Sequence, residues 1–186
     1  MSINDEIYLA ILHLLEEKGP AFTTEELASE LKVSKRTIYK MFGSKEMIID
    51  KAIDFVFKDI CLDDNGTAQK ERFSSDEMLQ RYLIEFHGTE HVDKIIKHAK
   101  TLEKRYPQQW SKLNNRIDEF GKKLYDLFIV DPHVRILTAT EKAVLLLMIQ
   151  QTTRKFLQNN YLVSKGLNFK AAIQALYKMI LSGIYC

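Results

Sequence analysis

Cysteine is almost missing from this 186-residue chain: Cys61 and Cys186 lie far apart and form no Cys-x-x-Cys cluster, which argues against a zinc ribbon or a disulfide framework. Nothing beside either thiol predicts a reactive thiolate. Proline and glycine are also scarce, three and seven, and long segments repeat at helical rather than alternating period, so an all-helical class is expected over any β architecture. No run of eighteen uninterrupted apolar residues occurs, and Met1 to Leu15 carries Asp5 and Glu6 where a secretory signal would be basic; neither membrane insertion nor export is expected, and the chain is assigned to the cytoplasm. A phosphate loop, a nucleophile elbow and a metal-ligand set are lacking, so neither an enzyme nor a cofactor or metal site is expected. His87-x-x-x-His91, with Glu90 and His98 nearby, has metal-ligand spacing, but Gly88-Thr89 breaks the helix between the two imidazoles and surface histidines explain them better.

What is present is enough apolar surface, 46% of residues, to bury a sizeable core. Ile3, Ile7, Ala10, Ile11, Leu14 and Leu15 form one stripe of a first helix that Gly19-Pro20 stops. Thr23 and Glu26 make a capping box, so a short second helix starts at Thr24. After Lys32-Val33-Ser34 a third helix places Ile38 and Phe42 one turn apart and shares a core with Leu27, Leu31 and Val33. The same period turns Lys35, Arg36, Tyr39 and Lys40 outward. Gly43 ends this helix and Ser44 caps a fourth, Lys45 to about Ile60, whose apolar surface is too wide for packing on one side only.

Charge marks the same region. Lys32, Lys35, Arg36, Lys40 and Lys45 fall in one stretch without an acid, so a chain of net +2 that owes five positive charges to this stretch is net −3 elsewhere. Two short helices joined by a tight turn, the second basic and polar outside, are a helix-turn-helix whose second helix enters the major groove of DNA.

The run Thr23-Thr24-x-x-Leu27-Ala28-x-x-Leu31-x-Val33-Ser34-x-x-Thr37-Ile38-Tyr39-x-x-Phe42-x-Ser44-Lys45 resembles the signature of the TetR family in spacing and residue type. The resemblance covers about residues 1–50. It implies that Tyr39 and Lys45 hold phosphates, that Thr24 donates to another, and that Lys35, Arg36, Thr37 and Lys40 approach base edges. The sequence departs from the family at Arg36, where Gly or Pro is frequent, at Met41, where a second aromatic is common, and at Glu25, where a basic residue would be unsurprising; these positions bear on sequence preference.

The body is read as helical to its end. Asp63 to Ser75 is a polar connection, Ser74-x-x-Glu77 opens a helix that Gly88-Thr89 breaks, another runs to about Arg105, and Tyr106-Pro107 starts one that reaches Val130. Two apolar helices follow, about 140–161 and 168–184, with more apolar surface than one buried stripe needs. The expected architecture is therefore all-α, about nine helices: a three-helix DNA-binding domain over 1–46 and a helical regulatory and dimerisation domain over 47–186. The resemblance implies a homodimer through the last two helices on a pseudo-palindromic operator, and a cavity for a small apolar effector that releases a repressor from double-stranded DNA. Lining candidates for that cavity are Phe86, Trp110, Phe120, Tyr125, Phe128, Met148 and Gln151. The alternative is a DNA-binding protein without an inducer, controlled by or recruiting a protein partner.

Overall fold

The computed structural model describes residues 3–57, 97–130, 134–156 and 161–184. Every regular element among them is helical: α1 (Ile3–Lys18), a 3-10 turn (Gly19–Ala21), α2 (Thr24–Glu30), α3 (Lys35–Phe42), α4 (Lys45–Phe57), α5 (Ala99–Arg105), α6 (Pro107–Ile129), α7 (Ala139–Phe156), α8 (Tyr161–Ser164) and α9 (Phe169–Ile184). The expected connection over 63–75, the helix opened by Ser74, Phe86, His87, His91, Cys61 and Cys186 lie outside the described residues. No helix among the described residues is long and apolar enough to cross a membrane.

Helix ends follow local chemistry. The Thr23 hydroxyl accepts from the Glu26 amide at 3.2 Å while Glu26 Oε2 accepts from the Thr23 amide at 2.8 Å, so the capping box closes in both directions. Thr138 and Glu141 repeat the device ahead of α7, with bonds of 3.2 and 2.8 Å, and Arg135 adds a bond to Glu141 at 2.7 Å. Those bonds, Arg135 first, hold the Glu141 carboxyl down at about 2. Pro107 occupies the start of α6, where its missing N–H costs nothing, which accounts for the break after Arg105. The helix expected over about 140–161 is described to Phe156; residues 157–160 lie outside the described residues, and α8 covers Tyr161–Ser164. Ser164 Oγ bonds the Tyr161 carbonyl at 2.7 Å, and Gly166, at φ +68°, takes the left-handed conformation beyond it.

One hydrophobic cluster runs through the molecule. Ile11, Leu12, Leu14 and Leu15 of α1 meet Phe22, Leu27, Ala28 and Ile38. The cluster continues through Ile48, Ile49, Ala52, Ile53, Val56 and Phe57 of α4 to Leu113, Ile117 and Phe120 of α6. α4 packs against both α1 and α6, as its broad apolar surface predicts. Tyr8 stacks on Phe55 at 4.8 Å, tying α1 to α4. Phe128 stacks on Tyr177 at 4.0 Å and Phe120 meets Phe169 at 6.0 Å, which seats α9 on α6. Burying each such side chain contributes about 1.5–3 kcal/mol.

The junction of the N-terminal helices with the body depends on one glycine. Gly19 sits at φ +60°, and a Cβ there would lie 2.6 Å from His98 Cγ and Nδ1. The His98 ring is held against it by a 2.9 Å bond between Nε2 and the Glu16 carbonyl at the end of α1. Gly19→Ala is expected to destabilise the protein by about 1–3 kcal/mol, from left-handed strain together with the clash. Urea unfolding checks this, and in a His98→Ala background the penalty should shrink, leaving the strain and the 3.0 Å contact with the Cβ of residue 98.

Candidate nucleic-acid interface

The turn between α2 and α3 is built from backbone bonds. Val33 N–H reaches the Ala28 carbonyl at 2.9 Å and Lys32 N–H the Ser29 carbonyl at 3.1 Å, the paired bonds of a Schellman motif. Lys32 supplies the left-handed residue, at φ +54°, where glycine is usual. Ser34 then caps α3, its Oγ accepting from the Thr37 amide at 3.1 Å and lying 2.8 Å from Thr37 Oγ1. Gly43, at φ +77° with nothing within 4 Å of where a Cβ would stand, closes α3 and sends its N–H to the Tyr39 carbonyl at 2.8 Å.

With its ends fixed, α3 has one way to lie. Ile38 is fully buried, as are Leu27 and Phe22 beneath it, and Lys35, Arg36, Tyr39, Lys40 and Met41 are exposed. Thr37 is half-buried. Arg36 and Lys40 fall one turn apart on the helix surface, as do Lys35 and Tyr39. Lys35 Nζ stands 5.8 Å from the centroid of the Tyr39 ring.

The expected contacts divide on inspection. Thr24, Lys35 and Tyr39 come together: the Thr24 hydroxyl lies 3.5 Å from the Tyr39 hydroxyl and 3.2 Å from Glu25 Oε2, and Glu25 Oε1 takes the Lys35 ammonium. Thr24 is itself buried, so its side chain is held beneath this surface. Lys45 points inward, donating to the Phe22 carbonyl with its ammonium 4.3 Å from the Phe22 ring centroid. Burial, with Arg105 adding repulsion, pushes this ammonium below the ordinary lysine value. The Glu25 and Lys45 contacts depend on side chains distant in sequence, and no periodicity in the chain signals them.

The expected cavity residues are dispersed. Phe120 and Phe128 are fully buried in the core, Tyr125 and Trp110 are half-buried against it, and Gln151 is exposed. Met148 lines a different feature, an open apolar groove of about 520 Å³ between α7 and α9 that also takes in Leu137, Val144, Leu145, Leu176, Met179 and Ile180. Along it Val144, Met148 and Met179 are 49%, 50% and 67% exposed, part of the surplus apolar surface that the sequence shows.

An ionic strut joins α4, which follows the interface directly, to α6. Lys112 Nζ contacts Asp50 Oδ2 at 2.6 Å and Asp54 Oδ2 at 2.8 Å, and Arg116 reaches Asp54 Oδ1 at 3.2 Å. Burial pushes the Asp54 carboxyl up, but the bonds from Lys112 and Arg116 outweigh it and leave the group below its ordinary value. Lys112 is the converse: burial pulls it down and the two aspartates lift it above its usual value. The Asp54 contribution is therefore complete above pH 3.8 and fades as pH falls through its lower folded value; that of Lys112 is complete below pH 10.5 and fades above it. Lys112→Met should cost about 1–2 kcal/mol at pH 7, because it leaves two half-buried carboxylates facing each other. Unfolding followed from pH 7 down to pH 2.5 should show that difference from the unaltered protein disappear.

Residues 7–52 match the family model described as bacterial regulatory proteins, tetR family. No curated protein matches the chain by sequence. Solved structures share the fold along nearly the whole chain. The TetR family transcriptional regulator PfmR from Thermus thermophilus is 21% identical, with 96% of this chain and 98% of that one covered at a TM-score of 0.59. A protein described as a TetR-family transcriptional regulator from Rhodococcus sp. is 13% identical, covering 98% and 97% at 0.63. A third, from Mesorhizobium loti MAFF303099, is 16% identical, covering 98% and 96% at 0.58. The N-terminal residues 7–52 thus match the tetR family model, and the described helices share the fold of these regulators.

Proposed function

We propose that the protein is a sequence-specific repressor that binds a pseudo-palindromic operator as a homodimer and is released by a small apolar effector. The observation that carries the DNA half is the orientation of α3. Ile38 is sealed in the core while Lys35, Arg36, Tyr39 and Lys40 face solvent together, so a basic and hydrogen-bonding surface of groove-entering size is presented on a rigid element. In this reading Arg36, Lys40, Thr37 and Lys35 approach base edges, and Tyr39 serves a phosphate with the buried Thr24 behind it, the two hydroxyls 3.5 Å apart. Lys45 joins them by turning outward from Phe22 when DNA is present.

The groove between α7 and α9 supports the dimer. A second copy that lays the same two helices across it buries Val144, Met148 and Met179 in a self-complementary four-helix contact. The two recognition helices then sit about 34–36 Å apart, in successive major grooves. Effector control acts through α4, which the strut and the shared core join to α6. An effector that prefers the wrong helix spacing shifts the population away from DNA, and a shift from mostly bound to mostly free takes roughly 10⁴-fold differential affinity.

Selection from random duplexes followed by footprinting should recover an inverted repeat, with affinity falling steeply in salt at a log–log slope of about −0.9 per phosphate neutralised. Arg36→Ala should cost about 1–3 kcal/mol and relax preference at one position of each half-site. Uniform binding to random DNA would sink the regulatory reading. Release from the recovered repeat by members of a library of small apolar compounds tests the effector, and indifference to all of them removes it.

For the dimer, Val144→Glu with Met179→Glu changes only exposed positions, so the fold should survive. Sedimentation should then find monomers, and affinity for the inverted repeat should fall by at least about a hundredfold as the second half-site is lost. A double variant that still sediments as a dimer would place the interface elsewhere.

A further inference from the structure

An acidic side chain stands beside the first cation of α3. Glu25 Oε1 takes the Lys35 ammonium, and Glu25 Oε2 accepts from the Thr24 hydroxyl at 3.2 Å. Capping of α2 falls to its neighbour, since the Glu26 carboxylate is the one that bonds the Thr23 amide. Lys35 is held from its other side by the Tyr39 ring, 5.8 Å from the ammonium. Three of the side chains assigned to DNA are thus gathered around one carboxylate.

We infer that Glu25 is a positioning residue for specificity: it holds Lys35 towards the base edges and keeps it from binding whichever phosphate comes near. This inference rests on the reading of α3 as the groove-entering helix. A lysine on a flexible four-carbon stem is a point charge with no preferred plane, so an unrestrained Lys35 would bind backbone phosphate on any sequence. Such a contact raises affinity for all DNA alike and carries no sequence information. Paired with Glu25, Lys35 brings no net charge to the polyanion, and only its geometry remains useful. The lysine bond holds the Glu25 carboxyl below its ordinary value, and Glu25 raises Lys35 above its own. Lys35 and Glu25 side chains are 49% and 59% exposed, so the pair is screened by water and steers the lysine without contributing much to stability.

Glu25→Gln tests this, because glutamine keeps the shape and a hydrogen-bonding oxygen for Thr24 and removes the charge. Its affinity for a random duplex should rise roughly fivefold per protomer. The salt slope on that duplex should steepen by about 0.9 per protomer. Affinity for the inverted repeat should stay level or drop, so the ratio of specific to random binding falls. In a Lys35→Met background the same change should no longer raise random-duplex affinity by this amount. The inference is overturned if both affinities rise together, if the salt slope does not move, or if the gain is as large without Lys35. An unaltered protein that binds neither duplex overturns the DNA-binding reading along with it, whereas normal binding that Glu25→Gln leaves unchanged overturns this inference alone.

Discussion

The burial of Ile38 in the cluster it shares with Leu27 and Phe22 is the constraint on which the N-terminal half depends. α3 is only eight residues long, too short to hold a helix by its own propensity, so its position comes from the buried Ile38, the partly buried Phe42 packed on the same core and the caps at each end. A rotation that brought Ile38 to the surface would carry Arg36 and Lys40 away from the face they share. Burial of one isoleucine thus decides which charges meet solvent. The rest of the domain is arranged to keep it buried: α1 forms the floor, the Schellman turn sets the angle between α2 and α3, and α4 closes the side.

What could be read from the sequence was local. The capping box at Thr23 and Glu26, the Ser34 cap, the Gly43 stop and the break at Tyr106-Pro107 are each fixed by residues within a few positions of one another, and each is present. Periodicity also separated Ile38 from Lys35, Arg36 and Lys40, and it identified the two-sided burial of α4. The features that escaped were of two kinds. Pairings across long separations leave no periodic trace, among them Lys112 with Asp50 and Asp54, Lys45 with the Phe22 carbonyl, and His98 with Glu16. A backbone choice against type also escaped: Lys32 takes a left-handed conformation that would be expected of glycine, because the two turn bonds hold it there. The aromatic residues named as cavity lining show the limit of composition, since Phe120 and Phe128 at helical spacing fill the interior.

Charge is used differently in the two halves of the fold. On α3 the cations Arg36 and Lys40 stand in water, where salt screens them and a polyanion can reach them. On α6 the cations Lys112 and Arg116 are half-buried and committed to Asp50 and Asp54. Since those aspartates lie on α4, directly after α3, the fixed charges of the body tie to α6 the helix that follows the exposed cations. Lys45 stands between the two uses, half-buried and drawn to the Phe22 carbonyl.

The seating of His98 against Gly19 also bears on modularity. The resemblance in the sequence ends near residue 50, which invites the view of a DNA-binding unit joined to an interchangeable body. In packing there is no such seam, because one hydrophobic cluster passes through α4 without a gap and a residue from the start of the body fits where only a glycine leaves room. Exchange of bodies between members of this architecture therefore demands more than a linker of suitable length. The donor body must bring a side chain shaped for the hollow at Gly19 and cations placed for Asp50 and Asp54.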